Sequence, residues 1–437
     1  MSAESRPLRF CMLTTFYPPY HFGGDAMGVQ RLSRGLVRRG HHVTVIHDVD
    51  AFNSLRRGPA PVEQPEPEGL DVVRLRSGLG TLSPLLTQQT GNPIVNGRRI
   101  RRILAAGRFD VVNFHNVSLV GGPGLLRYGG DAVRLYMAHE HWLVCPMHVL
   151  WRHGRELCTG RECLRCTLAH RRPPQAWRYT RYLERQLDQV DAFVAMSEFS
   201  RNKHREFGFP RSMEVLPYFL PDPESPALAS PAPEGEALTA RPHARPYFLF
   251  VGRLERIKGL DDVIPLFRDS PGADLVIAGD GEHAPVLRRL AEGMTNVRFL
   301  GRVAPDDLRR YYRHAIALIV PSVCFETFGI ILIESFKEGT PVIARRIGPL
   351  PEIVEQSGGG ELFSSGEELV AAMQRMQRDQ PYRDRLASEG HQAFLDRWTE
   401  RAVLPRYLDI VKRAAEYRRR RGASTRTARS TQGTGLA

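Results

Sequence analysis

Residues 9–48 read RFCMLTTFYPPYHFGGDAMGVQRLSRGLVRRGHHVTVIHD, and this stretch has the pattern of a strand, a helix and a second strand. The segment 9–15 is a short, largely apolar run, and residues 42–48 are rich in β-branched side chains, as buried strands often are. Between them, apolar side chains recur at helical spacing in residues 28–40. The stretch therefore predicts a β-α-β unit, whose helix connects two parallel strands.

The same alternation continues through the first half of the chain. Glycine or proline residues and helical segments separate four further strand candidates, which are residues 71–77, 110–116, 133–140 and 191–197. Their continuous apolar character is typical of a parallel sheet that is covered by helices on both faces. Residues 1–220 are therefore predicted to form one doubly wound, Rossmann-like α/β domain.

A proline-rich segment at residues 221–246 interrupts this pattern and is predicted to link two domains. A second alternating series follows it and predicts another Rossmann-like domain at residues 247–385, with C-terminal helices at 386–418 that could pack back on the first domain. Ligands of such sheets bind beyond the carboxyl ends of the strands. We therefore expect two tandem α/β domains that face each other across a ligand-binding cleft.

Composition places the chain among ordinary globular proteins. It has 437 residues, of which 42% are hydrophobic and 25% charged, and no apolar run is long enough to cross a bilayer. No secretory signal is visible at the N-terminus, so we expect a cytoplasmic protein with reduced thiols. The sequence has no feature that calls for a nucleic-acid partner.

The net charge of +13 is concentrated near the C-terminus, where residues 412–429 hold eight basic residues and one acidic residue. Residues 419–437 are too polar to form a core and are predicted to be a disordered basic tail. One interpretation is that the tail attracts anionic lipid head groups and holds the protein at the inner face of a membrane. The alternative is a solvated tail that only increases solubility.

Each domain has a turn between a strand and a helix that could approach a ligand. In the first domain Gly23 and Gly24 could bring the backbone close to a ligand, although two glycines are often only a turn. In the second domain Arg253 and Lys258 stand near such a junction. Two cations there suit a diphosphate, and the alternative is a solvated pair of surface cations.

The stretch FETFGIILIESF at residues 325–336 carries a carboxylate near each end of an apolar run, Glu326 and Glu334. On one continuous helix they would lie about 80° apart, so they would share no face. A helix that begins near Phe328 or Gly329 leaves Glu326 in a loop and buries Glu334, which then needs a partner. Because a helix N-terminus attracts phosphate, this arrangement suits a nucleotide sugar.

Three segments, residues 17–46, 252–263 and 321–354, together resemble the retaining glycosyltransferases of family 4, which have the GT-B fold. The resemblance covers most of residues 9–400 and includes the Glu-x7-Glu element with its upstream arginine and lysine. It implies a nucleoside-diphosphate-sugar donor bound mainly by the second domain and an acceptor bound by the first. It also implies attack on the face from which the diphosphate leaves, with no metal required.

The resemblance assigns a role to individual residues. Arg253 and Lys258 would hold the donor diphosphate, and the N–H groups of Phe328, Gly329 and Ile330 would cap it. Glu334 would bind the nucleotide ribose, and Glu326 would hold the transferred sugar. Gly24 would let its loop approach the phosphates and the acceptor. The catalytic-face histidine of the family matches His139, and His115 is a weaker candidate.

Four of the six cysteines lie in a predicted insertion of the first domain, residues 145–166: Cys145, Cys158, Cys163 and Cys166. In a reducing cytosol such clustering favours a structural four-thiolate zinc site, although only the last pair has the tight C-x2-C spacing. Free thiols and an iron–sulfur cluster are the alternatives. The other two, Cys11 and Cys324, are predicted to be core residues.

These observations predict an enzyme that transfers a sugar from a nucleoside-diphosphate-sugar to a hydroxyl of a glycan, a lipid-linked acceptor or a small molecule. A nucleotide-sugar epimerase has the same fold, but the Glu-x7-Glu pattern argues against it. A non-catalytic protein that binds nucleotide sugars or anionic surfaces is an alternative from a different class. Base, sugar and acceptor depend on pocket contacts that motifs do not reveal.

Overall fold

The computed structural model describes residues 6–56, 58–63, 65–222, 241–268 and 272–432, the side chains of 422–432 excepted. These residues form fifteen strands: β1 Arg9–Leu13, β2 His42–Asp48, β3 Leu70–Leu75, β4 Val111–Phe114, β5 Val133–Ala138, β6 Trp151–Arg152, β7 Glu156–Leu157, β8 Ala192–Ala195, β9 Glu214–Val215, β10 Tyr247–Val251, β11 Asp274–Ala278, β12 Val297–Gly301, β13 Leu318–Val320, β14 Val342–Arg345 and β15 Gly360–Phe363.

The α-helices in the same part of the chain are α1 Gly24–Arg38, α2 Val49–Leu55, α3 Leu82–Thr90, α4 Gly97–Gly107, α5 Cys163–Ala169, α6 Tyr182–Leu187, α7 Glu198–Glu206, α8 Leu260–Val263, α9 Ala284–Leu290, α10 Pro305–His314, α11 Ile330–Lys337, α12 Leu350–Ser357, α13 Gly366–Arg378, α14 Gln380–Arg397 and α15 Glu400–Gln432. Short 3-10 helices lie at Pro123–Arg127, Ala176–Tyr179, Arg256–Lys258 and Ile264–Phe267. No helix in the described ranges is both long and apolar enough to cross a membrane.

The strands form two fully parallel sheets and one small hairpin. The first sheet has the order β3-β2-β1-β4-β5-β8-β9, and the second has the order β12-β11-β10-β13-β14-β15. Strands β6 and β7 pair antiparallel inside the cysteine-bearing insertion. Both sheets reverse their strand order next to a central first strand, which is the doubly wound arrangement. The predicted fold class, two Rossmann-like α/β domains in the GT-B arrangement, is confirmed.

The carboxyl ends of the two sheets meet at a cleft. The Thr327 hydroxyl, in the loop after β13, donates to the carbonyl oxygen of His139 at 2.9 Å, just beyond β5. The Ser197 hydroxyl, just after β8, donates to the carbonyl oxygen of Thr327 at 2.7 Å. Both contacts join residues that directly follow strands of different domains, so loops at strand ends line the cleft.

The first helix begins earlier than its apolar spacing predicts. Residues 28–40 carry the periodic pattern, but α1 starts at Gly24, with Gly23 in extended backbone before it. Asp25 in the first turn favours this start, because a carboxylate there complements the helix dipole. The glycine loop is therefore shorter than expected, and Gly24 is already helical.

The long helix α15 returns to the first domain. Its first residue, Glu400, forms an ion pair with Arg38 of α1. Further along, the Tyr407 hydroxyl accepts a hydrogen bond from the side-chain amide of Asn113 in β4 at 3.0 Å. The guanidinium of Arg418 donates to the carbonyl oxygen of Gly130 at 2.7 Å. The end of the chain is thus anchored on the first sheet.

The structure differs from the prediction of a disordered tail at residues 419–437. Helix α15 continues to Gln432, because the basic segment extends a helix that is already fixed on the first domain. Arg421 donates to the carbonyl oxygen of Asp188 at 2.7 Å within this extension. Residues 433–437, and residues 223–240 of the predicted linker, lie outside the described residues.

Candidate active site

The turn after β10 is packed tightly against the loop after β13. Gly259 has a positive φ of +74°, and a β-carbon there would lie 2.1 Å from the carbonyl oxygen of Pro321. Only glycine can accept both the backbone conformation and this close approach. The packing places Lys258, the last residue of its 3-10 helix, beside the loop that carries Glu326.

Lys258 and Glu326 form an ion pair. The lysine Nζ lies 2.6 Å from Oε1 of Glu326, and the Ser322 hydroxyl donates to the same oxygen at 2.9 Å. Burial alone would lower the pKa of Lys258, but Glu326 outweighs it and the net pKa is raised. Burial would likewise raise the pKa of Glu326, and Lys258 outweighs it, so that this pKa is lowered. Both side chains are therefore charged near neutral pH.

Arg253 lies on the outer side of this pair. More than half of its side chain is exposed, and it forms an ion pair with Glu255 at 2.7 Å. Its positive charge acts on the pKa of both Lys258 and Glu326, so it lies close to them. An exposed arginine beside a partly buried lysine is a suitable arrangement for an anion that enters from solvent.

The N-terminus of α11 lies against the first turn of α1 in the first domain. The helix begins at Ile330, and Gly329 before it has a φ of +112°. A β-carbon on Gly24 would lie 3.3 Å from Cγ2 of Ile330, so a larger residue at position 24 would press on the start of α11. The first N–H groups of a helix have no partner within the helix. The predicted phosphate cap at Phe328, Gly329 and Ile330 therefore lies beside Gly24, the residue predicted to approach the phosphates, which is in the first turn of α1 and not in a loop.

Glu334 lies in the second turn of α11, where the sequence places it. Its carboxylate is held by Arg31 of α1 at 3.3 Å and by the Tyr312 hydroxyl at 3.4 Å. Arg31 belongs to the first domain, so this ion pair spans the cleft. The sequence predicts that a ligand satisfies Glu334, but Arg31 already does so. Nothing in the sequence distinguishes Arg31 from the other arginines of α1.

His139 is buried beside the cleft and is part of a hydrogen-bonded chain. Its Nε2 lies 2.8 Å from Nδ1 of His115, and its Nδ1 lies 2.5 Å from the hydroxyl of Tyr218. Burial lowers the pKa of His139 to about 4, although Asp25 acts to raise it. The imidazole is therefore neutral near pH 7, and both of its ring nitrogens have partners within the protein.

The four clustered cysteines do not form the predicted zinc site. Cys145 and Cys166 are buried, Cys158 and Cys163 are partly buried, and all four are free thiols. The described part of the chain holds no group of three or more His, Cys, Asp or Glu that could bind a metal ion. Instead, Cys158 donates to the carbonyl oxygen of Gly160 at 3.1 Å, and the Cys166 sulfur accepts from the His153 N–H at 3.3 Å.

Burial also acts on three of these thiols. Burial raises the pKa of Cys145 to about 11, and burial likewise raises the pKa of Cys158 and Cys163. The cysteines belong to a small folded insertion around the β6–β7 hairpin, in which the sulfur atoms of Cys158 and Cys166 bond to backbone groups.

The structure brings the other predicted residues to one cleft. The second domain contributes Arg253, Lys258, Glu326, Phe328, Gly329, Ile330 and Glu334, and the first contributes Gly24 and His139. Four polar residues that contact Glu326, Glu334 or His139 are not predicted from the sequence: Arg31, Tyr218, Ser322 and Thr327. Of these, Ser322 and Thr327 lie within the recognised segment, so only their partners were unknown.

Two facing sheets with a site at their strand ends are the architecture of GT-B proteins. Two family models of glycosyltransferases also match the chain. Residues 236–393 match the model described as glycosyl transferases group 1, and residues 22–220 match that of glycosyltransferase family 4. Together these matches cover well over half of the chain. The protein belongs to this family of glycosyltransferases.

A relative and two solved structures illustrate the similarity. An uncharacterized glycosyltransferase of Methanocaldococcus jannaschii is 23% identical over 447 residues, which cover 94% of this chain and 99% of the relative. Sucrose-phosphate synthase of Thermosynechococcus elongatus has a TM-score of 0.68 at 19% identity, over 93% of this chain and 98% of that one. HepE of Anabaena, solved with UDP and glucose, has a TM-score of 0.61 at 16% identity, over 93% of this chain and 99% of that one.

Proposed function

We propose that this glycosyltransferase moves a sugar from a nucleoside-diphosphate-sugar to a hydroxyl of an acceptor with retention of anomeric configuration. The observation that carries the proposal is the Lys258–Glu326 ion pair at the N-terminus of α11, opposite His139. It provides a cation for phosphate and a carboxylate for sugar hydroxyls at the point where both domains meet. HepE, which has a similar fold, was solved with UDP-glucose, and this supports a donor of that type.

In this proposal the diphosphate binds between Lys258, Arg253 and the first N–H groups of α11. Positive charge and helix N–H groups stabilise the negative charge that develops as the bond between the anomeric carbon and the phosphate oxygen breaks. The acceptor oxygen forms the new bond to the anomeric carbon on the same face. Its proton passes to the departing phosphate oxygen, so no additional base is required.

Glu326 must exchange partners when the donor binds. In the structure it neutralises Lys258, and we propose that the diphosphate takes over the lysine while Glu326 accepts hydrogen bonds from the sugar. Glu334, already oriented by Arg31 and Tyr312, would accept from the ribose hydroxyls. His139 is neutral and has no free ring nitrogen, so we expect it to shape the sugar pocket through its fixed ring and its carbonyl contact with Thr327.

A substitution at Glu326 separates binding from transfer. Glu326→Gln removes a negative charge next to the diphosphate site, so nucleoside-diphosphate affinity should stay equal or increase. Release of nucleoside diphosphate from UDP-glucose, GDP-mannose or ADP-glucose, with added acceptor extract, should fall by roughly 100-fold. Glu282→Gln, on the exposed surface of the same domain, is the matched control and should change neither quantity.

Three outcomes would contradict the proposal. Nucleotide-sugar binding without release of nucleoside diphosphate under any acceptor condition would favour a binding protein. An isomerised nucleotide sugar as the product would favour an epimerase. For a transferred sugar, NMR of the product gives the anomeric configuration, and inversion relative to the donor would refute the retaining mechanism.

A further inference from the structure

Exposed large apolar side chains are distributed unevenly over the molecule. Thirteen are exposed in the described part of the chain, and eight of these lie in two segments of the first domain, residues 79–94 and 164–179. In the described part of residues 241–378, which holds the second sheet and its helices, only Val286 is comparable. Since the two domains share one architecture, this difference points to a partner of the first domain.

The first segment centres on one face of α3. Five side chains in residues 79–94 are between 39% and 58% exposed: Leu79, Leu82, Leu85, Leu86 and Ile94. Leu82, Leu85 and Leu86 are spaced three and four residues apart, so they lie on one side of the helix. The opposite side of α3, with Ser83 and Thr87, is buried against the domain. The exposed side is therefore an apolar ridge.

Unpaired positive charge adjoins this ridge. Residues 72–109 contain seven arginines and no acidic residue, although Arg74 and Arg76 pair with Glu63. Four of the seven are exposed on α4, directly after α3: Arg98, Arg99, Arg101 and Arg102. In the part of the chain that the structure describes, none of these four forms an ion pair with a carboxylate; Arg101 instead lies over the ring of Tyr128 at 5.4 Å.

The second segment extends the same surface. Leu164 and Leu168 of α5 are exposed, as is Tyr179. Three arginines of this segment are exposed and form no ion pair with a carboxylate of the described residues: Arg165, Arg171 and Arg172. Arg181 pairs with Glu184, and Arg178 donates to the carbonyl oxygen of Trp142. The two segments touch, because the indole N–H of Trp177 donates to the carbonyl oxygen of Gln88 in α3 at 2.9 Å. Together, residues 79–102 and 164–181 make up what we call the apolar–basic face.

The apolar–basic face lies beside the cleft. Helix α3 follows β3, so it begins near the carboxyl end of the first sheet. In the second segment Arg178 donates to the carbonyl oxygen of Trp142, just beyond the carboxyl end of β5, at 2.9 Å. This is the end that carries His139 and faces the second domain. A partner bound to this face would therefore lie next to the part of the cleft that the first domain forms.

We propose that the apolar–basic face docks on an anionic lipid bilayer. Exposed leucines can enter the apolar part of the lipid layer, and unpaired arginines match the negative charge of the head groups. A second copy of the chain fits less well, because a symmetric contact through this face would place arginines against arginines. A nucleic acid would use the arginines but leave the leucines in water. The proposal does not depend on the transfer reaction.

Cosedimentation with vesicles tests the proposal on the full chain. Binding to vesicles of phosphatidylcholine and phosphatidylglycerol in equal amounts should exceed binding to phosphatidylcholine alone. The triple variant Arg98→Gln, Arg99→Gln, Arg102→Gln should weaken binding to the anionic vesicles by roughly 100-fold, since each basic residue near such a surface contributes about fivefold. Leu82→Ser with Leu85→Ser should weaken it by about tenfold or more.

Two matched triple variants provide controls with the same change of charge. The first control changes three exposed arginines of the second domain, as Arg289→Gln, Arg298→Gln and Arg378→Gln together. This variant should bind anionic vesicles like the wild type. Arg419→Gln, Arg426→Gln, Arg429→Gln tests the basic end of α15 and should reduce binding less than the α4 triple variant. Thermal unfolding and nucleoside-diphosphate binding should be unchanged in all of these variants.

Three results would overturn the proposal. The first is loss of vesicle binding in the α15 triple variant together with wild-type binding in the α4 triple variant. The second is equal binding to neutral and anionic vesicles that the leucine substitutions do not change. The third is a dimer in light scattering that the leucine substitutions dissociate while vesicle binding is absent. Because nucleotide binding is measured separately, none of these results would bear on the proposed donor site.

Discussion

The two domains share a parallel-sheet architecture, but the cations near the strand ends of the second domain contrast with the arginines of helix α4 in the first domain. In the second domain these cations are paired: Lys258 with Glu326 at 2.6 Å and Arg345 with Asp262 at 2.7 Å. In the first domain the arginines of α4 have no carboxylate partner within the described residues, and exposed leucines accompany them. The second domain is thus organised for a small charged ligand, whereas the first presents an open surface.

The largest expected effect is a pH dependence of the free energy of unfolding that arises in the first domain alone. Five buried histidines have lowered pKa values, all of them in the first domain: His47, His115, His139, His141 and His204. A histidine whose folded pKa is depressed stabilises the protein above its unfolded pKa, and this contribution is lost as pH falls. For His139, with a pKa of about 4, the loss lies between about pH 6.5 and 4 and amounts to about 3 kcal/mol.

Denaturant unfolding at a series of pH values checks this prediction. The free energy of unfolding should fall by about 3 kcal/mol more in the wild type than in His139→Gln over that range. Burial raises the pKa of Asp48 to about 7, so its contribution to the free energy of unfolding increases as pH falls. This contribution is common to both proteins and cancels when they are compared. Parallel curves for the two proteins would show that His139 does not titrate as its burial implies.

A second prediction concerns the Arg31–Glu334 ion pair, which crosses the cleft. Arg31 and Tyr312 orient Glu334, so Arg31→Ala should leave the carboxylate less well placed for a ribose. Calorimetry should show roughly tenfold weaker binding of the preferred nucleoside diphosphate, with pyrophosphate affinity unchanged. Arg31→Lys should recover part of the loss. An equal loss for nucleoside diphosphate and pyrophosphate would place Arg31 at the phosphates instead.

The smallest effect is expected in the cysteine insertion. Cys163→Ser with Cys166→Ser should lower the free energy of unfolding by no more than about 1 kcal/mol, because these thiols make only weak contacts. Elemental analysis of the purified wild type should detect no stoichiometric zinc. Zinc at one ion per chain that disappears in the double variant, together with loss of folding, would restore the original metal hypothesis.

Local patterns made much of the fold and part of the site predictable. The strands around residues 9–48 and the start of α11 follow from apolar periodicity and glycine placement. Lys258 and Glu326 could be expected near each other because each follows a strand of the same sheet. Their direct ion pair could not be predicted from the sequence, because it depends on how closely Gly259 packs against Pro321.

Other features depend on contacts between distant parts of the chain. Arg31 and Glu334 are separated by 303 residues, and His139 meets Tyr218 across 79 residues. No local pattern encodes such pairs. The cysteine spacing was compatible with metal ligation, but the structure uses the sulfur atoms to satisfy nearby backbone groups. The basic C-terminus was assigned to a tail because its composition does not reveal the helix that anchors it.

The most direct test of the donor site is thermal unfolding with UDP, GDP and ADP for the wild type, Lys258→Ala and Arg256→Ala. Arg256 is exposed in the same turn and serves as the matched control. A nucleoside diphosphate at about 100 times its dissociation constant should stabilise the wild type and Arg256→Ala by roughly 2.7 kcal/mol. Lys258→Ala should lose most of this shift. An equal shift in Lys258→Ala would contradict the assignment of the diphosphate to the Lys258–Glu326 site.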